Sequence, residues 1–213
     1  MISQYLSEQE VLVALDIIKK GLVNATASFS SLAKQNIGIK VGDFEIFDIS
    51  IATPIKIEKN TDLTVLTTEI IGELHGKSYL IFDEHETAEI YASCLPPSVL
   101  EEGGDRIKEA VLKELDNILS AAVITELSNK FNLKIFGDVP YLIKLDKTEL
   151  ESYLVNEFSG KNEEDDTLED NICLWIESKF EFENKHTLNP NFIWRLNERF
   201  VDIIQEATKN LLN

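Results

Sequence analysis

Between Leu6 and Lys34 the residues Val11, Leu15, Ile18, Leu22 and Phe29 recur at intervals of three, four or seven. That spacing lines one face of an α-helix and predicts a long amphipathic helix. Gly38 and Gly42 follow it. Phe44 to Ala52 then sets Phe44, Ile46, Asp48 and Ser50 against Glu45, Phe47, Ile49 and Ile51, and Leu63 to Ile71 is rich in β-branched residues, so both predict strands. Gly72 to Gly76 makes the turn into Lys77 to Phe82, which pairs LTVLTTEII with KSYLIF as a hairpin. Asp83 to Ser93 returns to helical spacing behind an acidic start suited to a helix N-terminus.

Pro96 and Pro97 end that helix, and the pattern begins again. A long helix is predicted from about Ser98 to Phe131, with strands near Leu133 to Phe136, Pro140 to Leu145 and Ile172 to Phe182. A closing helix is predicted from Asn191 to Leu212, with Pro190 where a first-turn proline is tolerated. KGLVNATASFSSL at Lys20 to Leu32 and NILSAAVITELSN at Asn117 to Asn129 share small residues at matching helical positions, which lets two helices approach closely. The expectation is an α+β chain in which residues 1–213 form a single domain of two related halves, about 1–95 and 96–213. The sheets of the halves merge and their long helices pack together.

Composition narrows the chemistry. The 213 residues are 44% hydrophobic and 27% charged, as in globular proteins. Twenty basic against thirty-eight acidic side chains give a formal charge of −18, which repels phosphate backbones and anionic lipid, so neither nucleic acid nor membrane is expected as a partner. No segment approaches the roughly 18 apolar residues of a membrane span. Met1 to Glu10 lacks the basic and apolar regions of a signal peptide, and a cytoplasmic protein is expected. The acidic run between Lys161 and Asp170 cannot bury apolar area and predicts a solvated loop; a calcium loop is the alternative, but its glycine and ligand spacing are missing.

Cys94 and Cys173 stand apart without a CxxC pattern and read as two buried free thiols. His75 falls in the hairpin turn, His85 near a helix start and His186 before a helix, none at metal spacing. Ser30, Ser31 and Ser128 lie on helices without a GxSxG elbow. Gly103 and Gly104 precede Asp105 and Arg106 rather than the Lys-Ser pair of a phosphate loop. Trp175 and Trp194 are expected to fill the core.

One constellation remains. Glu114 and Asn117 stand three apart on the second long helix and project from neighbouring positions on one face, with Ala110 and Ala121 on the same stripe. Val111, Leu115, Ile118 and Ala122 form an adjacent apolar band expected to face the sheet. By spacing alone, such an ExxN pair is most often solvated surface.

ELDNILSAAVITELS at Glu114 to Ser128, with Pro140 after 22 residues beyond Asn117, resembles the signature of the CheC/CheX/FliY family, which dephosphorylates the response regulator CheY. TEIIGELHGKSYLIFDEHETAEIYAS resembles that family's sheet and following helix, and IESKFEFENKHTLNPNFIWRLNERF its C-terminal strand and helix. The resemblance implies a pseudo-twofold, CheC-like fold and a protein aspartyl-phosphate phosphatase. Asn117 would position an in-line water beside the phosphoryl group, and Glu114 would engage the receiver's lysine. Pro140, Ala110 and Ala121 would shape the site. The chain itself would bind no cofactor, Mg²⁺ being supplied in the receiver.

Implied partners are a phosphorylated CheY-like receiver and, further afield, a CheD-like deamidase or a flagellar switch protein. A non-catalytic receiver- or CheD-binding adaptor on the same fold is the alternative. Where the family pattern often has Asp or Ser four residues before the glutamate, this chain has Ala110. In the first half Asp16 and Lys19 stand at the Glu and Asn positions and Gly42 near the proline position. Lysine cannot accept a hydrogen bond from water, so that first site is read as degenerate.

Overall fold

The computed structural model describes residues 6–48, 62–101, 104–158 and 171–211. Helix α1 (Glu8–Ala33) opens on a capping box, in which Ser7 accepts from the Glu10 N–H and the Glu10 carboxylate accepts from the Ser7 N–H at 2.7 Å. It closes on Lys34 in the left-handed region, at φ 53°. The first half continues with β1 (Ile37–Asp48), β2 (Leu63–Gly72), β3 (Gly76–Asp83) and α2 (Glu84–Cys94), the last opened by an Asp83–Glu86 capping box. The short α3 (Pro97–Glu101) leads to α4 (Asp105–Phe131), β4 (Ile135–Gly137), β5 (Tyr141–Leu145) and α5 (Lys147–Phe158). β6 (Asn171–Phe182), β7 (Thr187–Leu188), β8 (Asn191–Asn197) and α6 (Arg199–Leu211) complete the chain.

The strands form one antiparallel sheet in the order β1-β6-β8-β3-β2-β4, with β5 also on β2 and β7 on β6. Exchanging β1 with β4 and β5, β6 with β2, and β8 with β3 reproduces the order reversed, which is a pseudo-twofold topology centred on the β3–β8 pair. Each half lends its first strand to the other: β1 pairs β6, while β4 and β5 pair β2.

Three local features place the repeat at a register of 98 residues. Lys34 and Asn132 are both left-handed caps at φ 53°. Ser30 and Ser128 each turn a hydroxyl back onto the strand entry, at Ile37 and Leu133. Gly42 lies at the irregularity in β1 between Val41 and Phe44, and Pro140 lies in the break that divides β4 from β5, where a residue without an N–H interrupts pairing. The small-residue segments at Lys20 and Asn117, expected to match directly, are therefore one residue out of step.

α1 and α4 pack side by side on the inner face of the sheet. The approach is close because Gly21 has no side chain: a Cβ there would lie 2.6 Å from the Val123 Cα. Ala14 and Ala25 continue the small-residue face of α1, and Asn24 donates to Glu126 across the pair at 2.7 Å. From the sheet, Leu66, Ile70, Leu80, Phe82, Phe192, Trp194 and Leu196 are among the residues that join this core. On the outer face α5 lays Leu150 and Leu154 over Val65, Tyr79, Cys173 and Ile193. Glu157, near the end of α5, accepts from Lys77 Nζ and Tyr79 OH, both at 2.9 Å, and its carbonyl accepts from Arg195.

Several expectations change. Asn191 to Asn197 is a strand, and only Arg199–Leu211 of the expected closing helix is helical. β8 lies in the middle of the sheet with Phe192, Ile193 and Trp194 all buried, so its apolar run lacks the alternation that marks a half-exposed strand. Pro190 consequently precedes a strand, and its carbonyl accepts from Ser178. The strand expected to begin at Phe44 begins at Ile37, and its part beyond Asp48 falls outside the described residues. The helix expected from Ser98 is two helices, α3 and α4.

Neither α5 nor β7 was anticipated from the pattern, and His186 precedes β7 rather than a helix. The acidic run from Lys161 to Asp170 lies outside the described residues. Cys173 is buried, but Cys94 is only half-buried; both are free. Trp194 is fully buried, whereas Trp175 is half-buried against the outer cluster.

Candidate functional site

α4 is held on three sides and open on the fourth. Its buried face comprises Val111, Leu112, Leu115, Asp116, Leu119, Ser120, Val123, Ile124 and Leu127. The band facing the core is therefore displaced from the expected one: Val111 and Leu115 are buried, but Ile118 and Ala122 are only half-buried. Opposite this face, Ala110, Glu114, Asn117 and Ala121 are all exposed, at intervals of four, three and four. The two alanines leave the ridge low on either side of the polar pair.

The side chains of Glu114 and Asn117 have no hydrogen-bond or ion-pair partner among the described residues. The nearest cation in sequence, Lys113, is taken by Glu109 at 2.7 Å, which holds the Glu109 carboxyl below its ordinary range. Glu114 is thus an uncompensated carboxylate beside a free carboxamide, both on a rigid helix. Pro140 is buried where the chain enters β5, and β4 is pinned to α4 through Gly137, where a Cβ would sit 3.0 Å from Ile124 Cδ1.

The 98-residue register places Asp16 and Lys19 of α1 at the positions of Glu114 and Asn117, and both are exposed. Asp16 is not free: it bonds Lys20 at 2.7 Å along the helix. Where α4 offers a carboxylate and an amide, α1 offers a neutralised acid and a cation, flanked by the exposed Leu12 and Val23 rather than by alanines. The two faces share geometry and differ in chemistry.

Asp116, between Glu114 and Asn117, was not singled out by motif. It is fully buried, its Oδ2 accepts from Thr68 Oγ1 at 2.6 Å, and its Oδ1 has no partner among the described residues. Burial pushes its carboxyl up to about 7, with the Thr68 hydrogen bond opposing. The signal was available: Asp116 falls four after Leu112 and seven before Val123, on the stripe that must be buried.

The remaining candidates stay apart. His75 and His85 are exposed, and His186 lies 3.2 Å from Glu89. Among the described residues no group of three His, Cys, Asp or Glu is placed to hold a metal ion, and no helix is long and apolar enough to cross a membrane.

The architecture is the CheC-like α+β fold, a pseudo-duplicated sheet carrying two long helices. Thermotoga maritima FliY superposes with a TM-score of 0.65 at 17% identity, over 96% of this chain and 98% of that one. FliM from H. pylori, solved in a FliG–FliM complex, gives 0.56 at 8% identity, over 92% of this chain and 100% of that one. The FliM middle domain from Vibrio alginolyticus gives 0.54 at 7% identity, over 91% and 99%. No family model matches the chain, and no curated protein matches its sequence.

Proposed function

We propose that this protein hydrolyses the aspartyl-phosphate of a CheY-like receiver, using the exposed face of α4. The observation that carries the reading is the pairing of Glu114 and Asn117: exposed, without intramolecular partners, three residues apart on a helix whose opposite face is buried. Surface carboxylates and amides are common. An ExxN pair in the motif context of Pro140, on the helix of a CheC-like fold, is not.

In this reading the receiver brings its own Mg²⁺ and lysine, and the Mg²⁺ neutralises charge on the phosphoryl oxygens. What the chain adds is position. The Asn117 carboxamide accepts from and donates to a water and holds it in line with the scissile bond, as the glutamine of a GTPase does. The water oxygen bonds to phosphorus, the bond from phosphorus to the aspartyl oxygen breaks, and the water proton leaves with inorganic phosphate. An amide suits this task because it stays neutral, whereas a carboxylate there repels the phosphoryl oxygens. Glu114 pairs with the receiver lysine and sets the docking register.

The α1 face does not repeat this chemistry, since Lys19 has no acceptor to offer a water and Asp16 is already paired. A second reading, a non-catalytic adaptor for a receiver, a CheD-like protein or a flagellar switch partner, draws support from the likeness to FliM folds. The decay of a ³²P-labelled receiver with Mg²⁺ separates the two. Acceleration by the wild type, lost by about 100-fold or more in Asn117→Ala while binding persists, is expected for the phosphatase. Binding without acceleration identifies the adaptor.

A further inference from the structure

Asp116 occupies a place that the apolar pattern of α4 assigns to a hydrophobe. Leu112, Leu119 and Val123 surround it on the buried face, yet its carboxyl reaches the sheet and accepts from Thr68 at 2.6 Å. The polar lane continues beyond that bond. Thr68 pairs across the ladder with Ser78, and Ser78 with Trp194, so these three buried side chains cross β2, β3 and β8 in one row on the inner face. Asp116 Oδ1, Ser78 Oγ and Trp194 Nε1 all lack a partner among the described residues.

Such a lane is a poor source of stability. Buried polar atoms without partners cost free energy, and well-packed apolar residues in their place are commonly neutral or better. What a carboxyl–hydroxyl bond supplies and a leucine does not is direction. Apolar burial is non-directional, whereas a 2.6 Å hydrogen bond weakens steeply away from its preferred angle.

We propose that the Asp116–Thr68 hydrogen bond is a positioning device that sets the rotation of α4 about its axis and thereby aims Asn117 and Glu114. Its consequence for catalysis rests on the phosphatase reading; the rotation itself does not. A roll of about 10° carries a side-chain atom at the helix's outer radius of about 6 Å through about 1 Å. A misplacement of that size is enough to cost on the order of 100-fold in rate. Asp116 thus acts through its neighbour and touches no substrate.

The test compares wild type, Asp116→Leu combined with Thr68→Val, and Asp116→Asn, whose amide oxygen still accepts from Thr68. Two quantities are read. One is the side-chain amide signal of Asn117 in ¹H–¹⁵N spectra of the protein alone, identified by its loss in Asn117→Ala. The other is the kcat and KM for dephosphorylation of a phosphorylated receiver. For the double variant we expect an equal or higher Tm, a displaced or broadened Asn117 signal, and a kcat lowered 10- to 100-fold with KM within about threefold. Asp116→Asn retains the signal and holds kcat within about threefold of wild type.

An Asn117 signal unchanged in the double variant overturns the proposal, and so does wild-type kcat in a background where Asn117→Ala is inactive. Loss of activity that merely follows a lowered Tm in both variants also overturns it, as a structural role would. Should wild type leave receiver decay unchanged, the phosphatase reading fails, and the amide signal alone still decides whether Asp116 sets the roll.

Discussion

Replacing Gly21 by alanine tests the contact on which the helix pair depends. The new Cβ would lie 2.6 Å from Val123 Cα, 2.9 Å from its Cγ2 and 3.0 Å from its nitrogen. Two of these three atoms are backbone, so no side-chain rotation relieves the overlap, and α1 and α4 must separate by about 1 Å to restore ordinary contact. Alanine favours an isolated helix over glycine by about 1 kcal/mol, which sets the sign expected if the contact did not exist. Against that stands a gap of about 1 Å along the pair, which forfeits a quarter to a half of each dispersion well and brings the penalty of about 1–3 kcal/mol or more typical of overpacking.

With Ala14, Ile17, Ile18, Leu22, Ala25 and Phe29 all on the buried face of α1, the penalty falls at the upper end of that range and the net effect is a loss of about 1–2 kcal/mol. For a chain of this size that lowers Tm by about 2–8 °C. Thermal unfolding followed by circular dichroism at fixed pH reads it directly. Adding Val123→Ala removes the Cγ2 overlap but leaves the Cα and nitrogen and deletes two buried methyl groups, so it does not restore wild-type stability. A Tm for Gly21→Ala equal to or above wild type would refute the backbone contact.

Other outcomes follow from the same geometry. Glu114→Lys is expected to weaken receiver binding and dephosphorylation together, by about tenfold or more, as measured by titration and by ³²P decay. Converting the α1 face with Asp16→Glu and Lys19→Asn in an Asn117→Ala background is expected to recover measurable phosphatase activity if the 98-residue register is right. The Asp116 carboxyl titrates near 7 when folded and near 4 when unfolded, so the stability gained by keeping it protonated is present at acid pH and lost as pH rises through 7, about 4 kcal/mol in all. The unfolding free energy of Asp116→Asn relative to wild type, from urea melts, therefore rises by about 2 kcal/mol between about pH 5.5 and pH 8. With thiol reagents, the half-buried Cys94 is expected to react slowly in the native protein, its thiol raised to about 11 by burial, while Cys173 reacts only after unfolding.

How far the pattern of residues carried the fold depended on exposure. α1 and α4 are legible because each has a wet side, which makes the apolar period visible, whereas the β2–β3 hairpin, buried on both faces, is legible from its β-branched run and the Gly72–Gly76 turn. β8 is not, because burial of both faces removes the alternation, and the same run of Phe192, Ile193 and Trp194 fits a buried helix as well as a central strand. α5 does carry a helical stripe, Leu150, Tyr153, Leu154 and Phe158, but it is short and stands directly before the acidic run, which masks it. The exposed stripe of Ala110, Glu114, Asn117 and Ala121 is legible as a face from spacing alone, whereas its meaning came from the motif. Asp116 shows the limit of that approach, because motif reading passes over a residue whose importance lies in being polar where the helix is dry.

The exchange of outer strands between the halves bears on how the chain came to fold at all. β1 leaves α1 to complete a ladder with β6, from Ile37 opposite Phe182 to Asp48 opposite Ile172, while β4 and β5 return the service to β2. A chain cut near Pro96 yields two pieces, each with an unfilled sheet edge and a spare strand that fits only the other. Such pieces are obligate complements: they are expected to be sticky alone and to reassemble when mixed. The same topology is that of two like halves embracing as a swapped pair. Each half's outer strand is therefore indispensable to the other half's sheet, even though the α1 face carries Asp16 and Lys19 where α4 carries Glu114 and Asn117.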